Sequence, residues 1–126
     1  MRPAQWTTLL PVAAILAGLA AAATWSVRIG WADFLLRQET VAATGQAIAL
    51  TPDQSECYAR LAWLVSGDDA PRAKAALLRA VAVNPWDTRS RIELGLLAEA
   101  GGDDTMSTQY LLHAAEADRL FLPRRK

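Results

Sequence analysis

The chain has 126 residues, room for one small domain, and its 13 basic residues balance its 13 acidic ones. With no net charge, there is no broad field to draw in nucleic acid or a strongly acidic substrate. One cysteine, Cys57, and one histidine, His113, exclude an internal disulfide scaffold and the usual zinc sites.

The first predicted element is an apolar leader. Residues 3–27 carry no charged side chain, and residues 7–27 read TTLLPVAAILAGLAAAATWSV. An uncharged stretch of about 20 residues is long enough to cross a bilayer as a helix. Trp6 precedes it, and Trp25 and Trp31 stand at and beyond its other end, where an interfacial aromatic belt belongs. Pro11 is expected in the first turns, where a missing N–H costs least. The same residues also fit a cleaved secretory signal. Arg2 would be its charged start, Leu9 to Leu19 its apolar centre, and the Ala20–Ala23 run an A-x-A cleavage site. The anchor is preferred because the helical pattern does not stop at the alanines. Trp25, Ile29, Ala32 and Leu36 continue along one face, while Arg28, Arg37 and Glu39 bring in charge.

The span is only moderately hydrophobic, with seven Ala among residues 7–27. Ala14, Gly18 and Ala22 make a stripe of small residues at four-residue spacing. In lipid such a stripe lets another transmembrane helix approach closely, although alanine-rich sequence also produces such stripes by chance. The flanking Arg and Lys residues are too few to orient the span. Likeness to a signal sequence favours a single-pass protein whose soluble part is periplasmic or extracytoplasmic.

A repeat follows. Residues 47–65, AIALTPDQSECYARLAWLV, align with residues 80–98, AVAVNPWDTRSRIELGLLA, at an offset of 33. Ala47/Ala80, Ala49/Ala82, Pro52/Pro85, Leu61/Leu94 and Leu64/Leu97 are identical pairs. Residues 77–84, LLRAVAVN, then match 111–118, LLHAAEAD, at an offset of 34. A period in this range is the mark of stacked helical hairpins. Pro52 and Pro85 cannot continue a helix, and Ser55 and Thr88 suit the N-cap or first turn of the next one. Tyr58, Leu61, Ala62 and Val65 then fall on one stripe, as do Leu94, Leu97 and Ala98 beside the small Gly95. The segments SGDDAP (66–71) and AGGDDT (100–105) read as turns between antiparallel helices. The return helices carry Ala73, Leu77, Ala80 and Val81, then Tyr110, Leu111, Ala114 and Ala115. Residues 40–52 look like the return helix of an earlier unit whose first helix is the tail of the span, with no flexible linker between.

This pattern resembles the tetratricopeptide repeat (TPR) over about residues 40–123. Tyr58, Leu61 and Ala62 match the first-helix positions of the family's unit, and Ala73, Leu77, Ala80 and Pro85 match the second-helix positions. Leu94, Gly95, Leu111 and Ala114 match in the next unit, but Arg91 stands where a bulky aromatic is expected and Arg119 where a proline is. The resemblance implies an inner face lined by Glu56, Ala59, Trp63 and Ser66, then by Arg89, Ile92, Leu96 and Glu99. On such a face Trp63 either anchors a partner or packs within the array, and Trp86, after the helix-ending proline, either covers a hairpin seam or extends the contact surface. The apolar end, Leu120, Phe121 and Leu122, either folds back or meets another protein, and the basic tip at 124–126 is a weak signal for anionic lipid.

No motif calls for catalysis or for a cofactor. The pairs Asp68–Asp69 and Asp103–Asp104 lie in equivalent turns and lack the spaced ligands of a calcium loop. His113 corresponds to Arg79, and Cys57 to Ser90, one unit apart; both read as ordinary structural positions. The expected protein is all-α: a single N-terminal transmembrane helix with its extension (1–38) continues into a short TPR-like antiparallel helical-hairpin solenoid (39–123), then a basic tail (124–126). Its expected role is non-enzymatic protein–protein interaction at a membrane. Trp63, Trp86, Arg89, Ile92 and Leu96 are the candidate contacts to a protein partner, and Ala14, Gly18 and Ala22 the candidate contacts to other transmembrane helices. Membrane lipid is the other expected partner and nucleic acid is not. The alternative is a small single-span accessory subunit of a large membrane complex, respiratory or photosynthetic.

Overall fold

The computed structural model describes residues 3–121, and side chains from residue 9 to residue 120. The described residues form helices and turns only. The helices are α1 (Pro3–Leu36), α2 (Val41–Leu50), α3 (Ser55–Val65), α4 (Ala70–Val83), α5 (Thr88–Ala100) and α6 (Asp104–Phe121). They pair as three antiparallel hairpins, α1 with α2, α3 with α4 and α5 with α6, and each hairpin stacks on the next. The all-helical fold expected from the repeat is therefore observed.

α1 has two different halves. From Leu9 to Val27 every side chain is exposed. From Arg28 onward α2 covers one face, so that Ala32, Leu35 and Leu36 are buried against Ala43 and Ala47, with Cys57 of α3 completing the cluster. The tail of the apolar helix is thus the first helix of the first hairpin, with no linker between. Pro11 does not lie in the first turns as expected. The helix already runs from Pro3, which places Pro11 in its third turn and leaves the carbonyl four residues back without its usual partner. Within the apolar half, the Thr24 hydroxyl donates to the Ala20 carbonyl at 2.8 Å and the Ser26 hydroxyl to the Ala22 carbonyl at 2.9 Å. Both hydroxyls are thereby satisfied inside the helix.

The breaks fall where the prolines put them. α2 stops at Leu50 and α4 at Val83, each followed by one capping residue and then Pro52 or Pro85. Ser55 and Thr88 are first helical residues, not caps. Asp87 caps α5 by accepting from the Ser90 N–H at 3.1 Å, whereas Gln54 makes no side-chain cap for α3. The acidic turns hold two more caps. Asp69 accepts from the Arg72 N–H at 3.0 Å and Asp103 from the Met106 N–H at 3.1 Å, which satisfies N–H groups that a helix start leaves unpaired. One acidic residue of each pair therefore has a structural duty.

The second core cluster joins Ala62, Val65, Ala73, Ala76, Leu77 and Leu94, with Leu61, Val81, Leu97 and Tyr110 packed against it. α5 and α6 approach closely because position 95 is glycine: a Cβ there would lie 2.9 Å from Leu111 Cγ. Leu120 is exposed and does not fold back on the array. The Phe121 side chain, Leu122, Pro123 and the tail at 124–126 lie outside the described residues, as do Arg2 and the Trp6 side chain.

Candidate interaction groove

The face shared by α3 and α5 carries the residues that the TPR resemblance places inward. Trp63, on α3, and Leu96, on α5, are each 54% exposed, because their helices bury the opposite stripes, Ala62 and Val65, and Leu94 and Ala98. They are the lips of an apolar hollow of about 310 Å³, floored by Ala62, Ala73, Leu77 and Leu97 and edged by Ser66 and Glu93. Trp63 also borders a second, polar hollow of about 260 Å³ with Glu39, Glu56, Ala59, Arg60 and Arg89. The indole stands between the two, apolar on one side and charged on the other.

The charged groups here are largely paired. Arg60 Nη1 lies 3.5 Å from Glu39 Oε1, and Arg89 Nε donates to Glu93 Oε1 at 3.2 Å. Both pairs are partly open to water and hold side chains in place more than they stabilise the fold. Glu56 has no partner among the described residues, so the polar hollow keeps one open carboxylate.

Three of the five candidate contacts, Trp63, Arg89 and Leu96, come together around these hollows. Ile92 is exposed on α5, one turn before Leu96, but lines neither. Trp86 is exposed in the α4–α5 turn, where its backbone N–H donates to Asn84 Oδ1 at 3.1 Å, and its side chain also lies outside both. Sequence reasoning missed Glu93, which four-residue spacing from Arg89 signals, and Glu39, which no helical pattern signals because it sits in a turn. The candidate transmembrane contacts Ala14, Gly18 and Ala22 are exposed along α1, and nothing lies within 4 Å of a Cβ built on Gly18.

His113 is exposed on α6. Cys57 is fully buried beside the Thr51 hydroxyl at 3.5 Å. Burial pushes its thiol above the ordinary range; the Thr51 hydrogen bond lowers it, and the charges of Glu56 and Asp53 raise it further. Among the described residues no group of three or more His, Cys, Asp or Glu side chains is placed to hold a metal ion.

No family model matches the chain, and no curated protein matches it. Among solved structures it is similar to the crystal structure of MamA, a TPR-like protein, with a TM-score of 0.62 and 22% identity over 70% of this chain. The match covers 53% of MamA, so this chain corresponds to about half of that protein's length. At this identity the likeness speaks to the fold: three stacked hairpins in a TPR-like arrangement.

Proposed function

We propose that the chain is a membrane-anchored TPR-like module for protein–protein interaction, with α1 crossing the bilayer and the hairpins presenting the α3–α5 groove on the extracytoplasmic side. The observation that carries the groove reading is Trp63, a large aromatic held half in water between an apolar and a charged hollow. Large exposed aromatics at the centre of a concave surface are typical binding hot spots. The anchor reading rests on α1. Its bare stretch, Leu9–Val27, rises about 28 Å, close to the hydrocarbon thickness of about 30 Å. No side chain in it is charged, and helix Leu9–Leu36 has a mean hydropathy of 1.8 over its most apolar window.

The test is purification in mild detergent followed by mass spectrometry, comparing the native chain with Trp63→Ala. The variant should fold normally, since Trp63 is half exposed, and should recover its partner about tenfold less well, the loss of a hot spot of at least about 1.4 kcal/mol. Equal recovery would remove the groove from the reading.

The exposed Ala14, Gly18 and Ala22 stripe favours a second reading, in which the chain is a single-span accessory subunit of a larger membrane complex. Ala14→Leu with Gly18→Leu would then strip it from the complex, while Trp63→Ala would not. Unchanged association after both leucine changes would end the packing role of the stripe.

A further inference from the structure

The two faces of α1 do not lose their apolar character at the same level. On the inner face, charge enters at Arg28. On the opposite face Val27, Gly30, Trp31 and Phe34 follow at helical spacing, so the apolar surface continues about two turns, roughly 10 Å, past Val27. Trp31 is 55% exposed and Phe34 is 51% exposed. Their rings rest on each other, with centroids 5.3 Å apart, and no core residue needs them.

The nearby charges are drawn away from this face. The Arg28 guanidinium reaches across to α2 and donates to the Leu50 carbonyl, where it satisfies the end of that helix, and it lies 5.7 Å over the Trp25 ring. Asp33 and Arg37 neutralise each other, Arg37 Nη2 standing 2.8 Å from Asp33 Oδ2. α2, VAATGQAIAL, has no charged residue at all, and it runs back along α1 to end level with Arg28. Beyond Arg28 the first hairpin carries charge only at Asp33, Arg37 and Glu39. Trp31 and Phe34 on α1 and Ala42, Gly45 and Ala49 on α2 are exposed, with Trp31 and Ala49 nearest the candidate span, where Asp53 follows α2 as an exposed carboxylate.

We infer that the span end of the α1–α2 hairpin is seated in the headgroup layer of the bilayer, with Trp31 facing lipid and Phe34 at the layer's outer edge. The inference rests on the reading of α1 as a membrane span and goes beyond it. A bilayer adds some 5–8 Å of interfacial layer to each side of its hydrocarbon core, and Trp31 lies about 6 Å beyond Val27 along the helix. An amphipathic ring belongs at that depth. Lipid is preferred over a protein cover because the face is continuous with the bare stretch of α1 and the flanking charges Asp33 and Arg37 pair with each other. The array would then stand on the membrane with a fixed tilt, and the groove at a set height above it.

The experiment uses the full chain in phosphatidylcholine vesicles, with single-tryptophan variants made by changing the other tryptophans to Phe. One variant keeps Trp31, one keeps Trp63, and one carries Leu16→Trp as its sole tryptophan. Lipids brominated near the carbonyl end of the acyl chain should quench most of the Trp31 emission and leave Trp63 unquenched. Lipids brominated near the methyl end should quench Leu16→Trp. Quenched Leu16→Trp with unquenched, water-like Trp31 emission would overturn the seating and leave the span intact. Unquenched but blue-shifted Trp31 would assign the face to a protein contact and overturn it too. No quenching at either position would remove the span and the seating together. A further variant guards against misfolding: Trp31→Glu with Phe34→Glu should keep the helical circular dichroism of the native chain and shift the Trp63 emission of the single-tryptophan protein not at all, while weakening vesicle retention of the chain in a flotation assay. Unchanged retention would also count against the seating.

Discussion

The α3–α4 hairpin and the α5–α6 hairpin are built on one plan from different side chains. Tyr58 and Arg91 stand at the same position 33 residues apart, and each ties its helix to the carbonyl of the proline before it. The Tyr58 hydroxyl donates to the Pro52 carbonyl at 3.0 Å and Arg91 Nη2 to the Pro85 carbonyl at 2.6 Å. Cys57 and Ser90 are both fully buried, one beside Thr51 and the other donating to Asp87 Oδ2 at 2.9 Å. Ala62 and Gly95 both keep a helix crossing close. What the array repeats is a set of contacts, and the identities filling them vary with the neighbours. The hairpins part company at their outer faces. Leu77 is 1% exposed because α5 lies over α4, whereas its counterpart Leu111 is 37% exposed, with no described helix over that side of α6.

The largest test of that contrast is truncation of the two leucines. Leu77→Ala should cost about 2–5 kcal/mol, the range for a fully enclosed leucine. Leu111→Ala should cost less than half as much, because water already reaches part of its side chain and fills the space left. Urea unfolding in detergent, followed by helical circular dichroism, reads both. Equal losses would mean that α6 is covered as fully as α4.

Next comes the close crossing. Gly95→Ala gains about 1 kcal/mol of helix propensity but pushes a methyl group into Leu111 Cγ, a clash that costs about 1–3 kcal/mol where packing cannot relax. Gly95→Ala should therefore be destabilising by about 1 kcal/mol on balance, although the same exchange in an open helix stabilises. Pairing it with Leu111→Ala should turn the sign, and a pair that merely adds would show that the two residues do not meet.

The Tyr58/Arg91 exchange should be smaller. Tyr58→Phe loses one partly solvated hydrogen bond, about 0.5 kcal/mol. Arg91→Tyr should match or exceed the native chain, since Arg91 Nε is buried with no partner among the described residues and a phenol leaves no such donor behind. A clear loss in Arg91→Tyr would mean that the guanidinium does more than copy the tyrosine.

Much of this architecture was legible in the residues. The period near 34, the two prolines and the Gly/Asp turns placed α2 to α6, because proline ends a helix wherever it stands. The uncharged run placed α1 for a similar reason: no local breaker interrupts it. The site was less legible. Trp63 and Leu96 could be set on one face by spacing, but the charged hollow needs Glu39, which is held at φ 52 in the turn after α1 and reaches Arg60 only through the stacking of α3 on the first hairpin. Trp86 shows the converse. It stands out in sequence, yet the turn before α5 carries it away from the groove. The capping role of Asp87 was hidden by Thr88 beside it, since both suit a helix start and only the backbone decides which one flanks it.

Cys57 and Ser90 give the finest test, because they fill one position with two small side chains of very different acidity. The folded chain holds the Cys57 thiol above its ordinary range, chiefly by burial, so folding favours the protonated form. Stability from this source is complete while the pH is below the thiol's unfolded value. It is lost as the pH rises from there through the folded value, where the unfolded chain ionises first. The native chain should therefore weaken in urea between neutral and strongly alkaline solution, over and above any general alkaline loss. Cys57→Ser should lack that component, since a hydroxyl does not ionise there and serine already serves at position 90. Thiol reagents should modify the folded chain slowly at neutral pH and rapidly in urea. If Cys57→Ser and the native chain follow the same alkaline profile, the buried thiol contributes nothing to it, and the two positions are alike in acid–base behaviour as well as in place.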